Sequence, residues 1–235
     1  MSKNEPTARS STEIDPTRSD LDNFLADMMA TKKSDVAASG RLIFALDATM
    51  SREETWDMAC SLQGDMFKTV ASIGGLNVQL VYYRGLDECR ASRWVTDPER
   101  LAKLMIKISC NAGHTQISKV LTHAKRETGL LKVAAVVFVG DAFEEEADEV
   151  VPLAQQLGQL NAPVFMFQEG NSTAVEHVFR EIAKASGGAY CRFDSGSADQ
   201  LRELLKLVAT FAVGGVAALE ASKSADAIKL LSQLK

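Results

Sequence analysis

No two cysteines in the sequence form a C-x-x-C pair; Cys60, Cys89, Cys110 and Cys191 are scattered along 235 residues. That spacing excludes a cysteine zinc site or a disulfide frame and predicts reduced, mostly buried thiols. The opening stretch M-S-K-N-E-P-T-A-R-S-S-T carries no apolar signal core, so a cytoplasmic location is expected. No repeat at a period of about 20–50 residues is visible. There is no G-x-S-x-G elbow, no P-loop and no G-x-G-x-x-G after the first apolar run. D-A-T-M-S also lacks the second aspartate of an aspartate-nucleophile phosphatase, and no nucleophile is paired with His114. An enzyme is therefore not expected. The net charge of −5 offers little attraction to nucleic acid. An uninterrupted membrane span is missing too. The one candidate, 204–219, is shorter than about 20 residues and contains Lys206 and Gly214-Gly215, which predicts a buried closing helix and no membrane partner.

What remains is an ordinary globular composition, 46% hydrophobic and 24% charged, in a chain long enough to bury a core without covalent staples. Residues 1–39 divide from the rest. Residues 1–18 are rich in Ser, Thr, Lys, Glu and Pro and are expected to be disordered. Within 20–32, Leu21, Phe24, Leu25, Met28 and Met29 make one apolar helical stripe, capped by Ser19. A domain over 40–219 and a helical tail over 220–235 complete the expected organisation, with Ala227, Ile228, Leu230, Leu231 and Leu234 as the tail's apolar stripe.

The domain is organised around R-L-I-F-A-L-D-A-T-M-S, residues 41–51. The apolar run 42–46 reads as a strand buried on both faces, as in parallel sheets. Further strands are predicted at 76–83, 92–95, 133–139, 163–167 and 190–193. Helices are predicted at 52–73, from Asp97-Pro98, from Thr115, at 144–160, at 173–185 and from Ala198. The short 92–95 run follows the previous strand too closely for a crossover, which predicts an antiparallel edge strand. The order implies an α/β, doubly wound (Rossmann-like), mostly parallel six-stranded sheet with helices on both faces.

Asp47 closes the first strand and is followed at alternate positions by Thr49 and Ser51; Asp141 closes the strand V-V-F-V-G. Strand ends of open α/β sheets are where ligands sit. Two carboxylates on one edge favour a proton or a cation between them, and hydroxyls of Thr49, Ser51 and Thr115 could complete an oxygen shell for Mg²⁺. The bland alternative is that Asp47 opens a turn and Ser51 caps the next helix.

At these residues the sequence resembles the von Willebrand factor A (VWA) family. Asp47-Ala48-Thr49-Met50-Ser51 stands at the family's D-x-S-x-S motif, Thr115 at its loop threonine and Asp141 at its second aspartate. The likeness covers 40 to about 217. A-L-D-A-T-M-S, Q-L-V-Y-Y-R-G, E-C-R-A-S-R-W and V-F-M-F-Q-E-G are similar to phrases in a group of small bacterial proteins carrying this domain almost alone. The resemblance implies a metal-ion-dependent adhesion site (MIDAS): Thr49, Ser51 and Thr115 contacting Mg²⁺ or Mn²⁺, Asp47 and Asp141 acting directly or through water, and an open position for a carboxylate of a partner protein. Neutral hydroxyls leave the cation charge available to that incoming acid. Thr49 departs from the family's serine, and Gly140 and Ala142 from its usual threonine and glycine.

Beside this set, Arg52 is expected either to touch a partner's acid or to be a solvated first-turn residue, and His114 either to line the ligand face or to fix the loop through a hydrogen bond. Glu144-Glu145-Glu146 is expected as a solvated helix start, Glu169 as a loop acid, and Trp56 and Trp94 as core. The function implied is a metal-dependent protein-binding module; a hydrolase using the same cation, or a metal-free helical scaffold, are the alternatives.

Overall fold

A computed structural model of the chain describes residues 40–52, 76–194 and 198–234. The helices expected over 20–32 and 52–73, with Trp56 and Cys60, lie outside the described residues.

Six strands make one sheet: β1 (Gly40–Asp47), β2 (Leu76–Arg84), β3 (Glu88–Ala91), β4 (Ala135–Gly140), β5 (Val164–Glu169) and β6 (Tyr190–Phe193). They lie in the order β3-β2-β1-β4-β5-β6, all parallel except the antiparallel pair β2–β3. Strand β1 is central because its residues can be buried on both faces. Leu42, Phe44 and Leu46 point into one apolar layer, Ile43 and Ala45 into the other, all at most 1% exposed. The first layer is covered by α1 (Pro98–Ile106), α5 (Ala198–Ala221) and α6 (Ala225–Leu231); the second by α2 (Ile117–Leu130), α3 (Ala147–Gln159) and α4 (Thr173–Ser186). The doubly wound architecture predicted from the strand–helix alternation is the one observed.

Helix ends follow local chemistry. Asp97 caps α1 by accepting from Glu99 N at 2.9 Å, while Leu101, Leu104 and Met105 face the sheet. Ile117, Val120, Leu121 and Ala124 form the fully buried stripe of α2. Helix α5 is long and apolar enough to cross a membrane by length and composition. One face, with Leu201, Leu204, Leu205 and Val208, is buried against the sheet, and the helix breaks at Gly215, whose φ of 66° is left-handed.

Two expected boundaries move. The antiparallel edge strand is Glu88–Ala91, not 92–95; from that stretch Val95 joins through an isolated bridge to Val78, and Ser92 N donates to Leu80 O at 2.8 Å. The reason is the tight turn after β2, which Gly85 enters at φ 62°, so pairing resumes at once, from Arg84 opposite Glu88. Helix α3 begins at Ala147 rather than 144, because Glu144 and Glu145 are drawn across to the start of α2.

The segment expected as a helical tail packs into the domain. Ala227 and Leu230 of α6 are fully buried in the first layer. Beyond it, the Gln233 side chain accepts from Tyr190 N at 2.9 Å and donates to Tyr190 O at 3.1 Å, and Gln200 Nε2 reaches Arg192 O at 3.4 Å. The outer edge of β6 is thereby closed by two side-chain amides.

Candidate cation and partner-binding site

The parallel register sets the site. Asp47, the last residue of β1, stands opposite Tyr83 of β2, and Leu46 stands opposite Val139, so Asp47 and the Gly140-Asp141 end of β4 share the carboxyl edge of the sheet. Asp47 is fully buried. Its Oδ1 accepts from Thr49 N at 2.8 Å and its Oδ2 accepts from the Tyr83 hydroxyl at 2.9 Å. Burial pushes the Asp47 carboxyl above its ordinary range, against the opposing pull of the Thr49 and Tyr83 hydrogen bonds and of Arg52. The same burial, with Asp47 beside it, holds the Tyr83 hydroxyl well above its ordinary pKa, so it remains a donor.

From Asp47 the chain turns outward through a short 3-10 segment, Met50–Arg52, whose Arg52 N donates to Thr49 O at 3.1 Å. This turn lines up three oxygens. Thr49 Oγ1 lies 3.0 Å from Ser51 Oγ, and Ser51 Oγ donates to Asp141 Oδ1 at 3.2 Å. Four of the five expected metal-site residues are thus joined in one network: Asp47 behind, Thr49, Ser51 and Asp141 in front. Gly140 leaves room for it, since a Cβ there would meet the Phe138 ring at 2.8 Å and Asp47 Cβ at 3.4 Å.

Thr115 lies on the adjoining loop. That loop is tied to the turn by Asn111 N donating to Ala48 O at 3.1 Å and to the β2–β3 turn by Gln116 Nε2 reaching Gly85 O at 3.1 Å. Thr115 and Glu144 bond reciprocally, Thr115 N to Glu144 Oε2 at 3.0 Å and Glu144 N to Thr115 Oγ1 at 2.9 Å. Glu145 then caps α2 from a distance, accepting from Ser118 N at 3.0 Å and from Ile117 N, where Gln116 at the cap position supplies no side-chain bond of its own. Glu144 and Glu145 of the acidic triplet expected as a solvated helix start therefore assemble the loop instead, while Glu146 is exposed at the cap position of α3.

Arg52 is corrected more sharply. It is 1% exposed, so it cannot touch a partner in this fold. Its Nε and Nη2 contact Glu169 Oε2 at 3.0 and 2.9 Å, and its Nη1 donates to the carbonyls of Asp47 and Val139, both at 3.3 Å. Glu169 is correspondingly the buried end of β5, not a loop acid. His114 does face solvent, with its side chain 67% exposed and Nδ1 3.4 Å from Glu144 Oε2.

The donor chemistry fits a small hard cation. Adjacent ligands of an octahedron with bonds of about 2.1 Å lie about 3.0 Å apart, which is the spacing of the Thr49, Ser51 and Asp141 oxygens. Among the described residues, no three His, Cys, Asp or Glu side chains are grouped so as to hold a metal. A soft or nitrogen-seeking ion is therefore poorly served, and any ion held here would rest chiefly on hydroxyls and water.

Comparison with solved structures agrees with this topology. A von Willebrand factor type A protein from Catenulispora acidiphila matches with a TM-score of 0.61 and 15% identity, over 76% of this chain and 43% of the other. The VWA domain of SpRpn10 matches at 0.56 and 11%, over 72% and 95%. The vWF domain of the type V pili tip protein Mfa5 from Porphyromonas gingivalis matches at 0.59 and 7%, over 73% and 96%. This chain spans less than half the length of the Catenulispora protein. No family model and no curated protein matches the sequence. The fold carried by residues 40–52, 76–194 and 198–234 is that of a von Willebrand factor A-type domain.

Proposed function

We propose that the chain is a protein-binding module that grips an acidic group of a partner through a divalent cation, Mg²⁺ or Mn²⁺, at the carboxyl edge of its sheet. The observation that supports this most is the line of oxygens from Thr49 through Ser51 to Asp141, spaced as neighbouring ligands of one hard ion. In this reading Thr49, Ser51 and Asp141 hold the cation and Asp47 stands behind them, orienting the turn through Thr49 N. Thr115, already bonded to Glu144, contributes its remaining lone pair or a water contact. His114 lies at the rim, where an incoming carboxylate would pass. The reading is one of binding without turnover, in a reducing cytoplasmic setting that suits the free thiols of Cys89 and Cys191. The pilus adhesin SpaC from Lactobacillus rhamnosus GG and the pili tip protein Mfa5 share the fold, which is consistent with a role in binding.

The test is thermal. Mg²⁺ at about 100 times its dissociation constant stabilises the folded state by about 2.7 kcal/mol, a rise of several degrees in Tm. Asp141→Ala should abolish the rise. A wild-type melting curve unmoved by millimolar Mg²⁺ and Mn²⁺ overturns the reading.

A further inference from the structure

Beside the site, between the outer face of α2 and the β2–β3 edge, lies a cleft of about 410 Å³. Its lining includes Arg90, Lys119, His123 and Arg126, with the hydroxyls of Ser118 and Thr122, and no carboxylate. This is an unusual patch for a chain of net charge −5. The acids around the cleft are Asp87, Glu88, Glu127, which acts on His123, and Glu145, which accepts from Ser118 N at 3.0 Å. Glu88 is shared between Arg84 and Arg90, both at 3.0 Å, and also accepts from Tyr82. Asp87, which pairs with Lys119, is 92% exposed, so an entering anion can replace it at little cost.

The cleft is also built to aim its cations. Arg126 Nη2 donates to His123 Nδ1 at 3.2 Å, which makes His123 Nε2 the donor to Gln79 Oε1 at 2.9 Å. Gln79 is itself anchored, its Nε2 donating to Ser92 O at 2.9 Å. Burial lowers the His123 pKa, consistent with a neutral ring in this chain of bonds. Arg126 is thereby held on the helix surface by a relay that ends in the sheet.

Position links the cleft to the cation site. Lys119 lies one turn beyond Thr115, and Arg126 about 16 Å along α2 from it at 1.5 Å per residue. An extended peptide covers that distance in about five residues. Glu144, bonded to Thr115, and Glu146, at the cap position of α3, are both exposed at the rim of the site. The cations of the cleft are thus within reach of an acidic segment that also meets the sheet edge at Thr115. We propose that the α2–β3 cleft is a second anchor for the partner, taking carboxylates of an acidic peptide segment whose leading acid meets the cation. The link to the cation rests on the function proposed above; the anion binding of the cleft does not.

The experiment uses the full chain and a fluorescein-labelled oligoglutamate peptide, read by anisotropy at low salt with Mg²⁺ or with EDTA. The double variant Lys119→Glu, Arg126→Glu, both exposed positions, should weaken binding at least tenfold in both conditions. The control reversal Lys103→Glu, Lys206→Glu, on helices packed against the other layer, should leave it within twofold. Asp141→Ala should remove only the increment that Mg²⁺ adds. Wild-type-like binding by the cleft variant, or equal loss in the control, overturns the proposal. So does displacement of the peptide by inorganic phosphate at lower concentration than by free glutamate, which would assign the cleft to phosphate. If Mg²⁺ adds nothing to wild-type binding while the cleft variant still loses tenfold, the cation reading fails and the cleft stands.

Discussion

Arg52 and Glu169 form an ion pair at the base of the candidate site, 2.9 Å apart and only 1% and 7% exposed, although 117 residues separate them in the chain. The same guanidinium holds the carbonyls of Asp47 and Val139, so one side chain ties together the ends of β1, β4 and β5. The turn that carries Thr49 and Ser51 is thus positioned from below. Arg52→Met would strand the Glu169 carboxylate in the core and should cost about 3–5 kcal/mol in urea unfolding. The double variant Arg52→Met, Glu169→Leu should recover more than half of that loss. Recovery of none would mean that the carbonyl contacts, not the pair, carry the stabilisation.

Tyr83 should act as a positioning residue for Asp47. Tyr83→Phe removes the donor to Asp47 Oδ2 and leaves the ring stacked beside Phe138. Loss of such a supporting bond typically weakens a metal site by about 10–100-fold. Titration calorimetry with Mn²⁺ should show weaker affinity in a variant that still melts cooperatively.

Asp47 makes stability depend on pH in a definite direction. Its folded pKa is raised, chiefly by burial, so the unfolded chain releases this proton first. Its contribution is fully present below the unfolded value of about 3.9 and is lost as pH rises through the folded value. In EDTA, Asp47→Asn should therefore match or exceed wild type at neutral pH, and the difference should shrink below about pH 4. With Mg²⁺ present the order should reverse at neutral pH. Urea unfolding across pH 3–8, with and without the cation, checks both halves.

Glu145 should behave as a helix cap supplied in trans. Glu145→Ala leaves the amides of Ile117 and Ser118 without their acceptor and should cost about 1–2 kcal/mol, comparable to loss of a local N-cap. Hydrogen exchange should quicken in the first turn of α2 before any other described helix.

Much of this architecture was legible because buried parallel strands and helices leave periodic traces. The runs ending at Asp47 and Asp141, the Asp97-Pro98 start and the stripe Ile117, Val120, Leu121, Ala124 all announced their places. Edge strand β3 did not, since E-C-R-A is only four residues long and its alternating apolar pair, Cys89 and Ala91, is small and only half-buried. Its register was decided by the turn at Gly85 and by the charges on Arg84, Glu88 and Arg90. At the site, D-A-T-M-S could be recognised because its donors are close in sequence. Arg52–Glu169, Tyr83–Asp47 and Glu145–Ser118 could not, because each joins distant segments through polar atoms that leave no period behind. Gln233 was equally invisible for the same reason.

That last contact bears on how the molecule behaves in a crowd. A parallel sheet with a bare flank is a template on which a second chain can lay its own backbone, and copies can then add without limit. Here Tyr190 and Arg192, the residues that offer their backbone groups outward, are already engaged by Gln233 and Gln200. Gln233 and Gln200 thus serve as stoppers: replacing them with alanine would uncover a sticky rim on which ribbons could be seeded.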